Sequence, residues 1–219
     1  MIVQTLVSKI VNAWGNLEYN SLKLENFLFC NFRIQILEML IKSVRGNTPV
    51  YGEDCFFAEN ATLIGDIKMG DHCSIWYQAV VRGDVNSIVI GDYVNIQDGA
   101  VIHATYKKSS TLIGNNVSIG HNAIVHGCTI EDNVLIGMGS IVMDHCNIGS
   151  NSIIAAGAVL TQGTIVPPGS VYGGVPAKKI KSLTDELQKN EIERIAKNYL
   201  LYASWFKTEE YKNHPKMVF

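Results

Sequence analysis

Aliphatic side chains return at every sixth position through most of this chain, and that beat constrains the fold more than any other feature. One run contains Phe57, Leu63, Met69, Ile75 and Val81. After short breaks come Ile90, Ile96 and Ile102, then Ile113, Ile119 and Val125. One five-residue step later the series resumes with Ile130, Ile136, Val142, Ile148, Ile154, Leu160 and Val166. Helices repeat every 3.6 residues and half-buried strands every second residue, so neither explains a count of six. Four positions after most of these aliphatics stands a small or β-branched residue, such as Ala79, Ala100, Ala123, Ser140 and Ala158. Gly, Asp and Asn crowd the sites between, as in "IGDY", "IGNN" and "IGSN".

Short internal repeats of this kind indicate a stacked β-solenoid. Three six-residue units make a triangular coil of about 18 residues, and coils stack at the strand spacing of roughly 4.8 Å. The repeat aliphatic points inward, the small residue fits near a corner, and Gly or Asn supplies left-handed backbone where the chain turns. A β-sandwich does not hold such a phase from Phe57 to Val166. The expected fold class is therefore all-β, a left-handed parallel β-helix of hexapeptide repeats over 39–181, with Cys73 and Cys146 as small corner residues of its core.

The beat stops near Ser182. The segment "SLTDELQKNEIERIAKNYLLYASWF" has cap candidates at Ser182 and Thr184, acidic residues in its first turn, and Ile192, Ile195, Tyr199 and Tyr202 at helical spacing. A C-terminal α-helix packed along the solenoid is expected within 182–219. Residues 1–38 lack the beat and any clean signal-peptide layout. Met39 reads as a natural domain start, so 1–38 is expected to be an extension of uncertain origin, either mis-assigned or an accessory helical segment.

A net charge of −2 argues against nucleic acid as a partner, and no run of 18 apolar residues suggests a membrane span. Five cysteines without a CxxC pair suggest reduced thiols and a cytoplasmic location.

Of the six histidines, His72 and His145 lie among turn residues and His214 in the tail, and ordinary solvated roles are expected for them. His103 and His126 each follow a repeat aliphatic. They are 23 residues apart, one coil of 18 plus five, the surplus matching the beat-breaking loop "TYKKSST" at 105–111. With that loop extruded, the two imidazoles stack one rung apart and can share an ion at Zn–N distances of about 2.0–2.1 Å. His121 occupies a different place in its repeat and cannot easily turn onto the same ion. A neighbouring copy in a three-fold assembly of prisms could supply it, and three imidazoles plus a water make an open, catalytic type of site.

"RGD" at 82–84, "NIQDGAVIH" at 95–103, "GHNAIVHGC" at 120–128 and "YGGVPAK" at 172–178 together resemble the γ-class carbonic anhydrases and their bacterial relatives. The resemblance covers roughly residues 39–185. It implies a homotrimer with one Zn2+, Fe2+ or Co2+ per subunit interface, held by His103, His121 and His126. It implies that Gln97 bonds the metal-bound water or the substrate, that Arg82 and Asp84 link subunits beside the site with Asp98 close by, and that Tyr172 lies near the pocket. The implied chemistry lowers the pKa of water from 15.7 toward about 7, and the resulting hydroxide attacks carbon dioxide to give bicarbonate. Two departures bear on rate. Val85 follows Asp84 where the family has glutamate, and "ATYKKSST" replaces an acidic, proton-carrying loop. Proton release to buffer would then limit hydration. The hexapeptide beat by itself equally fits acyl- or acetyltransferases that use CoA. The same metal site also suits a thioesterase, and a purely structural trimer clipped by metal is the remaining alternative.

Overall fold

The computed structural model describes residues 39–207; the expected extension at 1–38 and the tail with His214 lie outside the described residues. The chain winds as a left-handed parallel β-helix. One face stacks Leu40–Lys42, the first halves of Thr62–Met69 and Val80–Ile90, then Val101–His103, Ile124–His126, Ile141–Val142 and Val159–Leu160. A second continues from the same two long strands through Thr111–Ile113, Thr129–Ile130, Asn147–Ile148 and Ile165–Val166. The third stacks Phe56–Phe57, Ser74–Ile75, Asn95–Ile96, Ser118–Ile119, Val134–Ile136, Ser152–Ile154 and Ser170–Gly174, and the antiparallel Ala177–Ser182 closes it.

Register is the consequence of the six-residue beat. Leu63, Val81, Ile102, Val125, Val142 and Leu160 pair in sequence down the first face. Ile75, Ile96, Ile119, Ile136 and Ile154 do so down the third, and these five isoleucines are fully buried. Each removes apolar surface worth roughly 1.5–3 kcal/mol from water. Ala79, Ala100, Ala123 and Ala158 are sealed at the corners, as are Cys73 and Cys146. Asn116, Asn122, Asn133 and Asn151 take positive φ at turns, which asparagine tolerates better than most residues.

Two insertions interrupt one corner. Gly65 pairs with Gly83 and Ile67 with Ile88, so a single residue on one coil faces four, Asp84–Ser87, on the next. A Cβ on Gly83 would drive into the Asp66 carbonyl, which is the steric reason for glycine inside "RGD". The second insertion follows His103, and Asn86 joins the two by donating to the carbonyls of Thr105 (3.0 Å) and Ser109 (2.6 Å).

Beyond the solenoid, α1 (Asp185–Leu187) starts under the cap of Thr184, whose hydroxyl accepts from the Leu187 amide at 3.3 Å. It runs through a π-helical stretch, Gln188–Glu193, into α2 (Arg194–Phe206). The helical segment packs on the third face by two apolar clusters. Ile192 joins Ile153 and Val171 at one end, and Ala203 with Tyr199 and Phe206 joins Phe56 and Trp76 at the other. Among the described residues no helix is long and apolar enough to cross a membrane. Ile119→Ala should cost about 2–5 kcal/mol in chemical denaturation, because a stacked column cannot collapse into the void without breaking register; a loss below 1 kcal/mol would mean the columns are loosely packed.

Candidate metal centre

Strand alternation sets His103 and His126 outward, since Ile102 and Val125 beside them point into the core. The two are direct register partners on adjacent coils. His103 Nδ1 lies 3.2 Å from His126 Nε2, with ring centroids 5.1 Å apart. Two nitrogens on one tetrahedral zinc at about 2.0–2.1 Å would be separated by roughly 3.3 Å, so the pair has the span of a bidentate grip.

The remaining ring nitrogen of each histidine meets a carboxylate. His103 Nε2 is 3.0 Å from Asp84 Oδ1, and Asp84 Oδ2 accepts from Arg82 Nη1 at 2.6 Å. His126 Nδ1 is 3.0 Å from Asp144 Oδ1, and Asp144 accepts from the hydroxyls of Ser109 (2.7 Å) and Thr105 (2.8 Å). With those nitrogens donating to the carboxylates, neutral rings turn their other two nitrogens toward each other across 3.2 Å, and Arg82 Nη2 stands 3.5 Å from His103 Nδ1. A cation between them satisfies both, and that is the fit between these residues and a metal ion.

The electrostatics agree. Burial would raise Asp84, yet hydrogen bonds from Arg82 and His103 and their charges hold its carboxyl below the usual range. Asp144 is likewise lowered against burial, by Ser109, Thr105 and His126. Burial pulls His103 down, Asp84 pushing the other way, which favours the neutral imidazole that a metal needs.

His121 stands on the edge of the helix-covered face. Its Nδ1 is 2.9 Å from Asp98 Oδ2, and its Nε2 is 3.3 Å from the Tyr199 hydroxyl of α2. Among the described residues no three His, Cys, Asp or Glu side chains of the chain gather into a metal-holding group. One chain therefore brings two histidines together and keeps the third apart. Gln97 is buried beside His121 in a groove of about 360 Å³ under the helix, and donates to Asn95 Oδ1 at 3.0 Å. Tyr172 continues the isoleucine column below Ile154 and packs against the core. His72 stacks on Tyr93, and His145 is exposed.

Four participants escaped the sequence reading. Asp144 lies 18 residues beyond His126, one coil below, so counting coils would have found it. Gly127, at φ 55°, marks its path, for a Cβ there would strike both Asp144 and Ser109. Thr105 and Ser109 had only their hydroxyls as a signal. Tyr199, 78 residues from His121, had none. The loop after His103 is basic as expected, with Arg45 and Lys107 both about 5 Å from the Tyr106 ring centroid.

Comparison with known proteins adds a second line of evidence. Residues 110–142 and 127–162 match the family described as bacterial transferase hexapeptide (six repeats). A carbonic anhydrase of Geobacillus kaustophilus is 37% identical over 168 residues, covering 77% of this chain and 91% of that protein. The mitochondrial gamma carbonic anhydrase 2 of Arabidopsis thaliana is 40% identical over 178 residues; 79% of this chain aligns, spanning 64% of that longer protein. The crystal structure of a hexapeptide transferase family protein from Anaplasma phagocytophilum superposes with a TM-score of 0.72 at 40% identity, over 76% of this chain and 98% of that one.

Asp144→Asn is expected to weaken zinc binding roughly 10- to 100-fold, the usual effect of losing a partner that orients a ligand. Titration of metal-stripped protein would measure it, with circular dichroism reporting an intact solenoid. Unchanged affinity would remove Asp144 from the centre.

Proposed function

Because this chain belongs to the γ-class carbonic anhydrase-like hexapeptide-repeat family, we propose that it is a metal-dependent carbonic anhydrase-like enzyme, working as a homotrimer that converts carbon dioxide and water to bicarbonate and a proton. The observation that carries the reading is the His103–His126 pair, each ring tethered by a carboxylate and each turning its other nitrogen to its partner, with Arg82 Nη2 3.5 Å from His103 Nδ1. His103 and His126 of one copy and His121 of the partner subunit are the proposed ligands. Bound there, zinc, iron(II) or cobalt(II) would supply the Lewis acidity that makes water nucleophilic near neutral pH.

The chain's own residues do the rest. Asp84, Asp144 and Asp98 fix the tautomers and ring planes of the three histidines. Gln97, buried beside His121, orients a small reactant through its amide. Arg82 keeps Asp84 ionised and lies at the edge where a second copy would dock. Tyr172 is assigned to packing. A trimer is supported by the outward column on the histidine-bearing face, Thr62, Val80, Val101, Ile124, Ile141 and Val159, which pair in register. Such a continuous, mostly aliphatic strip calls for cover. Docking it against the edge carrying His121 is a heterologous contact that closes on a three-fold axis.

No acidic side chain stands in the loop 104–111, so proton release should depend on buffer. Protein purified without oxygen should carry one metal per subunit and hydrate carbon dioxide, by stopped flow, at a rate that rises with buffer concentration. One tightly held metal without hydration in strong buffer would sink the enzyme and spare the site. The match to transferase hexapeptide repeats favours a CoA-dependent acyltransferase as the second reading; a thermal shift with CoA that chelators do not alter would support it instead. The same centre turned on a thioester carbonyl is a variant of the first reading, separable by assaying acyl-CoA hydrolysis.

A further inference from the structure

The C-terminal helix sets a proton donor against the one nitrogen through which His121 would reach an ion. Asp98 accepts from Nδ1 at 2.9 Å, so that nitrogen carries the ring proton and Nε2 keeps its lone pair. The Tyr199 hydroxyl stands 3.3 Å from Nε2. Tyr199 is half-buried, edge-on to Trp76 at 5.3 Å and to Tyr202 at 5.4 Å. Burial, with the nearby Asp98 and Tyr202, pushes its phenol up to about 12. It is a neutral donor at physiological pH, and a poor metal ligand for the same reason.

One lone pair takes one partner. An ion at about 2.0–2.1 Å from Nε2 would lie on the line the hydroxyl now occupies. We propose that Tyr199 and the metal ion compete for His121 Nε2, so that metal loading frees Tyr199 and loosens the middle of α2. The proposal rests on the metal reading above. Room for the movement exists, because the groove of about 360 Å³ opens beside Tyr199 and is floored by Gly120 and Gly137. The helix would stay attached meanwhile: Tyr199 belongs to the Ala203 cluster, but Ala203 and Phe206 hold that end without it, and Ile192 anchors the other end. Tyr199 is thus a positioning residue: it holds the His121 ring in the correct tautomer before the ion arrives and yields to it.

The test compares metal-stripped wild type, Tyr199→Phe and Tyr202→Phe in zinc titrations against a chromophoric chelator. Tyr199→Phe should bind zinc roughly three- to tenfold more tightly, since no hydrogen bond is then broken on loading. Tyr202→Phe, on the same helix, should match wild type. Weaker or unchanged zinc binding by Tyr199→Phe overturns the proposal. Hydrogen exchange provides a second readout that needs no variant: zinc should speed exchange of the α2 amides in wild type, and slower or unchanged exchange overturns it. Failure of wild type to bind zinc at all would instead remove the metal reading on which the proposal stands.

Discussion

Parallel, in-register hydrogen bonding between coils is the constraint on which the rest of this molecule depends. Because each coil repeats the last at one strand spacing, a side chain's neighbours are decided by its phase in the repeat. The buried columns of isoleucine, the corner alanines and the outward apolar strip all follow from that one rule. So does the pairing of His103 with His126, which are brought together by ladder bonds between their own strands rather than by any affinity of the rings. The backbone ladder sets the two imidazoles edge to face with their nitrogens 3.2 Å apart.

What the ladder imposes, the carboxylates direct. Asp84 and Asp144 reach their histidines from different coils, one out of a four-residue bulge and the other from the coil below past Gly127. Both carboxyls are held ionised by hydrogen-bond donors: Arg82 for one, Thr105 and Ser109 for the other. The insertions that break the hexapeptide beat are thereby the segments that build the site. The solenoid supplies position, and its interruptions supply polarity and orientation.

The architecture was legible because period, phase and burial are the same information in a solenoid. Counting sixes located the core residues, and counting coils brought His103 over His126 once the loop at 105–111 was set aside. The Thr184 cap and the helix after it were legible from local chemistry. Contacts that cross from one phase to another were not. Asp144 reaches His126 only because a left-handed glycine leaves space, and Tyr199 meets His121 only because two apolar clusters decide where the helix lies. Tyr172 continues a core column of the stack, below Ile154.

The central claim is that copies of this chain complete each other's metal centres. Crystals loaded with zinc or cobalt, with anomalous diffraction collected at the metal edge, address it directly. The account predicts one strong peak per subunit, bounded by His103 and His126 of one copy and His121 of the partner subunit. A peak held by a single chain, or the three rings lying out of mutual reach in every contact between copies, would contradict it.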